Sequence, residues 1–139
     1  MQRLLWTGLI ALLCSILPAC SRITTTPLAD VPVVIATCDT TADPYLSIRG
    51  RDQLAWTTQD NNYTIVFPSS GSNPAPGTPF RDAQGQPLFT FPLLKGSTVR
   101  SGPAFVKGYF KYNIYSSLFG GPPPQGSSPC KDPGLHVKD

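Results

Sequence analysis

Residues Phe105 to Tyr115, FVKGYFKYNIY, form the longest run outside the N-terminal segment in which apolar and polar side chains alternate. Val106, Phe110, Tyr112 and Ile114 fall on one face, and Lys107, Tyr109, Lys111, Asn113 and Tyr115 on the other. Side chains of an extended chain point alternately to opposite faces, so this period predicts a β-strand with one face buried. Working outward, similar short runs occur at Val31–Ala36, Tyr45–Arg49, Gln53–Thr57, Tyr63–Phe67, Leu88–Phe91 and Ser97–Arg100, and after the central run at Leu135–Lys138. Turn chemistry separates them: Asp39 to Pro44, Gly50-Arg51-Asp52, Asp60-Asn61-Asn62 and Lys95-Gly96. Two longer Pro/Gly/Ser-rich stretches, Pro68–Pro87 and Gly120–Ser128, read as loops, the first pinned at Phe80 and the second with polyproline character. The chain has 139 residues, of which 16 are Pro and 12 Gly, which leaves no room for a helix longer than a turn or two. The expectation is a single all-β domain, a β-sandwich of seven or eight short strands.

The net charge of +3 falls by one if Arg3 is removed with a leader, too small an excess to argue for nucleic acid. Glu is absent and His occurs once, which removes most of the usual acid–base and metal-ligand repertoire. No Gly-x-Ser-x-Gly elbow and no second His accompany the hydroxyls, Ser69 and Ser70 included, so no hydrolase constellation can be assembled. The expectation is a protein that is not an enzyme and carries no cofactor.

Arg3 followed by the apolar stretch Leu4 to Leu17 has the form of a signal peptide, too short and wrongly flanked to span a bilayer permanently. Its end, Leu17-Pro18-Ala19-Cys20, resembles the bacterial lipobox. The resemblance implies that residues 1–19 are cut off and that Cys20 carries the acyl chains, palmitate among them, that hold the protein on a membrane. Ser21 in place of Asp resembles lipoproteins sorted to an outer membrane, which implies the bacterial cell envelope, on the face toward the periplasm. Residues 20–30 read as a lipidated tether and residues 31–139 as the folded domain. The other reading of the same leader is an ordinary secretory signal with Cys20 an incidental thiol.

With Cys14 in the leader and Cys20 lipidated, Cys38 and Cys130 are left. In an exported protein a remaining pair reads as a disulfide, here tying the end of the first strand to the start of the last. The alternatives are two separate buried thiols, or a metal-binding or redox protein using Cys38, Cys130 and His136.

The order of motifs resembles the cupredoxin family. Gly50-Arg51-Asp52-Gln53-Leu54-Ala55-Trp56 resembles the family's Gly-Asp-x-Val-x-Trp segment, and Asn62-Tyr63-Thr64-Ile65-Val66-Phe67 its His-Asn/Thr-Val-x-Phe strand. Gly108 to Ile114 resembles Gly-x-Tyr-x-Tyr/Phe-x-Cys, and Cys130 to Val137 resembles a closing segment of cupredoxin-like domains that lack copper. The resemblance implies a Greek-key β-sandwich. It does not carry the metal: Tyr63 and Ile114 stand where the first His and the Cys ligand would be, and the only Met is Met1.

One surface is suggestive. Lys107, Tyr109, Lys111 and Tyr115 share the outer face of the central strand, where tyrosine gives contact area at low entropic cost and lysine gives steering. The same residues also serve as cross-strand pairs and edge guards. Tyr45 with Arg49 is expected on another outer face, and His136, between Leu135 and Val137, is expected to be a solvated strand histidine. The functional expectation is an envelope-anchored binding or assembly module, with the membrane as one partner through Cys20 and an envelope protein as the other.

Overall fold

A computed structural model describes residues 27–40, 42–69 and 77–139. The leader, Cys20, most of the 20–30 tether and Ser70 lie outside these residues. Within them the chain is all-β, with no helix. Nine strands follow one another: β1 Ala29–Ile35, β2 Tyr45–Ser47, β3 Asp52–Thr58, β4 Tyr63–Val66, β5 Thr90–Leu93, β6 Thr98–Pro103, β7 Gly108–Lys111, β8 Asn113–Ser116 and β9 Gly134–Lys138. They form three small sheets in the orders β1-β3-β6, β2-β9-β7 and β5-β4-β8. β1 runs parallel to β3 and β2 parallel to β9; every other pairing is antiparallel.

The alternating run Phe105–Tyr115 is not one strand but two. β7 pairs with β9, β8 pairs with β4, and Tyr112 sits at the change of partner. The backbone does not lose its partners there. Tyr112 N donates to Pro133 O at 3.1 Å, Ile114 N to Lys131 O at 2.8 Å, and Cys130 N to Ile114 O at 2.9 Å. These bonds carry the antiparallel pairing with the C-terminal segment through the junction, so the two small sheets run on from one another. Phe110, Tyr112 and Ile114 are buried as their period requires, whereas Val106 is 40 % exposed. Val106 belongs with Phe105 and Lys107 to the connection from β6 to β7, where the strand period no longer governs which way a side chain points. The β5 boundary also differs, Thr90–Leu93 in place of Leu88–Phe91, with Pro92 tolerated because β5 is a sheet edge.

Five aromatic rings fill the centre. Trp56 lies 5.0 Å from Phe91, 5.9 Å from Tyr112 and 6.3 Å from Phe80, and Phe67 lies 5.4 Å from Tyr112 and 5.5 Å from Phe80, mostly edge to face. Such pairs each add about 0.5 to 1.5 kcal/mol beyond the area they bury. Phe80 comes from the first long loop and is fully buried, so that loop is pinned to the core as its sequence suggested. Burial pushes the Tyr112 phenol up to about 12. Neither the Tyr112 hydroxyl nor Trp56 Nε1 has a hydrogen-bond partner among the described residues.

The register defines two ends. Ala29 opposite Asp52, Gln53 opposite Pro103, Gly108 opposite Val137 and Ser47 opposite Lys138 mark the end from which the tether leaves. Ile35 opposite Thr58, Thr57 opposite Thr98 and Tyr63 opposite Leu93 and Ser116 mark the far end. Two side chains organise that far end. Asp60 accepts hydrogen bonds from Thr37 N at 2.5 Å, Thr58 Oγ1 at 2.6 Å, Asn61 N at 2.9 Å and the Tyr63 hydroxyl at 2.9 Å. The bonds from Thr58 and from the Thr37 backbone, the largest causes, hold its carboxyl well below the usual carboxylate range. Asp60 and Tyr63, whose hydroxyl accepts from Cys38 N at 2.9 Å, fix a turn in which Thr37 and Cys38 both have positive φ, 51° and 58°. That left-handed conformation costs a non-glycine residue about 1 kcal/mol or more, which the clamp offsets. Asn62 fixes the neighbouring loops, accepting from Lys95 N at 2.8 Å and donating to Leu118 O at 2.8 Å.

Candidate functional site

The site grows out of the register of the β2-β9-β7 sheet. Leu46, Leu135, Val137 and Phe110 are buried, so their neighbours Tyr45, His136 and Tyr109 must point outward. Tyr45 is paired with His136 and His136 with Tyr109, which sets the three side chains in one row across the sheet. The imidazole lies between the two phenols, its centroid 4.6 Å from Tyr45 at an interplanar angle of 13° and 4.6 Å from Tyr109 at 40°.

The surroundings hold the row in place. Lys138 Nζ stands 4.6 Å from the centroid of Tyr45, a cation over the face of the outermost ring. Asp43 Oδ2 lies 3.9 Å from His136 Nε2, and His136 N donates to Pro44 O at 2.9 Å. Beneath Tyr109, a Cβ on Gly134 would come 2.5 Å from Tyr109 Cε2 and 2.7 Å from Asp43 Oδ1. Only glycine leaves the gap into which Tyr109 leans.

His136 is therefore not the solvated histidine that its position in the strand suggested. It is half-buried, its side chain 33 % exposed, because rings on both neighbouring strands cover its faces. Tyr45, 56 % exposed, does not occupy a separate face but shares that of Tyr109. The inner ring faces are turned toward one another and Lys138 stands over Tyr45, so the row meets solvent through ring edges, the outer side of Tyr109 and the Lys138 ammonium.

The four residues expected to form a binding face are divided. Tyr109 joins the row. Lys107 is ion-paired with Asp139, and Lys111 Nζ lies 3.2 Å from Asp132 Oδ2. Tyr115 is half-buried across from Thr64, receives a long bond of 3.4 Å from Asn113 Nδ2, and lies on the part of the sheet that the loop after β8 covers. Thr64 Oγ1 donates to Gly121 O at 2.6 Å, and the Thr64 side chain is fully buried beneath that loop. Sequence reasoning did not join Tyr45 to this face because β2 is three residues long and pairs with a strand some ninety residues away. Periodicity records which face a residue takes, not which strand lies beside it.

Cys38 and Cys130 are brought to disulfide distance at the far end, with a Cα–Cα separation of 5.9 Å inside the usual range. His136 does not join them. Cys130 lies beside Ile114 and His136 beside Tyr109, five positions apart along the same antiparallel pairing, or about 16 Å. Among the described residues no three His, Cys, Asp or Glu side chains are grouped so as to hold a metal ion. Tyr63 and Ile114, at the positions matched to the family's copper ligands, are engaged otherwise: Tyr63 in the Cys38–Asp60 clamp, Ile114 in the core. The chain matches no protein-family model, and comparison with curated proteins and solved structures finds no match.

Proposed function

We propose that this chain is a bacterial envelope lipoprotein, held on the outer membrane facing the periplasm by acyl chains on Cys20, and that its domain is a copper-free cupredoxin-like sandwich serving as a non-enzymatic binding or assembly module. The observation that carries the binding reading is the Tyr45–His136–Tyr109 row with Lys138 beside it. Aromatic side chains already ordered by one another lose little freedom on association, which is what makes tyrosine-rich patches productive contacts. The lipobox at Leu17–Cys20 supports the location. The Greek-key reading rests on the motif resemblance; the two parallel pairs, β1 with β3 and β2 with β9, add only that their connections cross between sheets. The partner is an envelope protein presenting an apolar surface with an acidic edge for Lys138. Photocrosslinking in cells from position 45 or 109 of the lipidated protein tests it. Capture of one reproducible envelope protein from both positions is the expected result, and its absence from both sinks the proposal.

A further inference from the structure

Exposed apolar side chains gather at both ends of the domain. Leu118 and Phe119, 84 and 85 % exposed, stand at the far end beside Leu94. Phe105 and Val106, 55 and 40 % exposed, stand at the end from which the tether leaves, two and three residues beyond the last position of β6. The two ends differ in charge. At the same end lie Arg49 and Arg51, in the turn that leads into β3, Lys107 in the connection before β7 and Lys138 at the end of β9, against Asp52 and Asp139. Lys107 is paired with Asp139; Arg49 and Arg51 are exposed and have no ion-pair partner among the described residues. At the far end only Lys95 is a comparably unpaired cation among the described residues.

We infer that the domain rests on an anionic lipid surface through its tether-bearing end, with Phe105 and Val106 entering the headgroup region and Arg49 and Arg51 lying over the lipid phosphates. This rests on the lipid-anchor reading above. Tether length favours it over the reverse orientation. Nine steps of chain separate Cys20 from Ala29, a covalent reach of at most about 30 Å. With the tether-bearing end down, the start of β1 lies at the surface and almost none of that reach is needed. With the far end down, the six steps of β1 alone lift Ala29 by about 20 Å before any loop is counted, which takes up two thirds of that reach. Bilayer contact by apolar side chains flanked by cations is the usual interfacial arrangement, each cation raising association with an anionic surface about fivefold. Leu118 and Phe119 then point away from the bilayer, and the Tyr45–His136–Tyr109 row faces sideways.

The test places an environment-sensitive fluorescent amino acid at position 105 or at 119 of the full lipidated protein. The protein is reconstituted in vesicles of phosphatidylethanolamine and phosphatidylglycerol, and quenching by bromine-labelled lipid is read. The expected result is strong quenching at 105, about threefold or more above that at 119, and loss of at least about half of it in Arg49→Glu/Arg51→Glu, a drop well within what two cations contribute. Equal or stronger quenching at 119 overturns the proposal. So does an unquenched 105 probe on protein that still floats with the vesicles, an outcome that leaves the lipid anchor standing. Protein that fails to float with the vesicles refutes the anchor itself, and the orientation with it.

Discussion

Tyr45 and His136 face each other at 4.6 Å with their rings 13° from parallel, although β2, which carries Tyr45, ends some ninety residues before β9 begins. The contact exists because β2 joins β9 in parallel register. It turns an exposed tyrosine and a lone histidine into parts of one ordered surface. Gly134 is the position on which that surface depends. Gly134→Ala is expected to destabilise the domain by about 1 to 3 kcal/mol, because the added methyl must displace the Tyr109 ring and the Asp43 carboxylate. In a Tyr109→Ala background the added cost of Gly134→Ala should shrink by at least 1 kcal/mol, as neighbours in contact couple on that scale. Urea midpoints of the four proteins in the cycle measure it, and strict additivity would mean that Tyr109 does not lean on Gly134.

The Asp60 clamp gives the domain an acid sensitivity with a definite sign. The folded-state carboxyl is held below its unfolded value, so its contribution to stability is complete above about pH 4 and is lost as pH falls further. Asp30, bound by Arg100, and Asp39, bound by Lys131, act in the same direction. Thermal unfolding followed from pH 7 to pH 2 should show the midpoint falling mainly below pH 4. Asp60→Asn should flatten part of that fall and lower the midpoint at pH 7.

On the alkaline side the sign reverses. The Tyr112 phenol is pushed up to about 12 by burial, so the neutral form is favoured in the folded state. Its contribution is complete below pH 10 and is lost as pH rises toward 12, on the order of 2 to 3 kcal/mol in all. Tyr112→Phe removes a buried hydroxyl without a partner, and should leave stability at pH 7 unchanged or raise it by about 1 kcal/mol. A loss above 1 kcal/mol would place a hydrogen bond on that hydroxyl.

Reduction should weaken the domain strongly. Cys38 and Cys130 are 92 residues apart in sequence, and in the chain-entropy description closing a loop of that length contributes about 4 to 5 kcal/mol. Cys38→Ser/Cys130→Ser should lower the denaturant midpoint accordingly. The turn at Thr37 and Cys38, with its two positive φ values, should lose hydrogen-exchange protection first.

Much of the fold was legible because one period dominates it. Alternation placed Phe110, Tyr112, Ile114, Leu135 and Val137 inside, and Trp56 with Leu54 inside β3. It failed at Val106, in a connection between sheets, and although it placed Tyr112 correctly it could not show that the partner strand changes there. The site was half legible. Tyr109 was picked out from its face, but Tyr45 and His136 reach it only through long-range register. Asp60 and Asn62 read as turn residues and proved to be clamps, because the loops they bind come from distant parts of the chain.

The measurement closest to the central proposal compares photocrosslinking yields in cells at positions 45 and 109 with the yield at position 34. Val34 is 62 % exposed on β1, in a different sheet, and lies outside the row. The expected result is one envelope protein captured from both row positions at least about fivefold above position 34, with that capture lost in His136→Ala, as a contact centred on a few ordered side chains requires. Equal yields at all three positions, or capture that is indifferent to His136, would contradict a binding surface built on Tyr45, His136 and Tyr109.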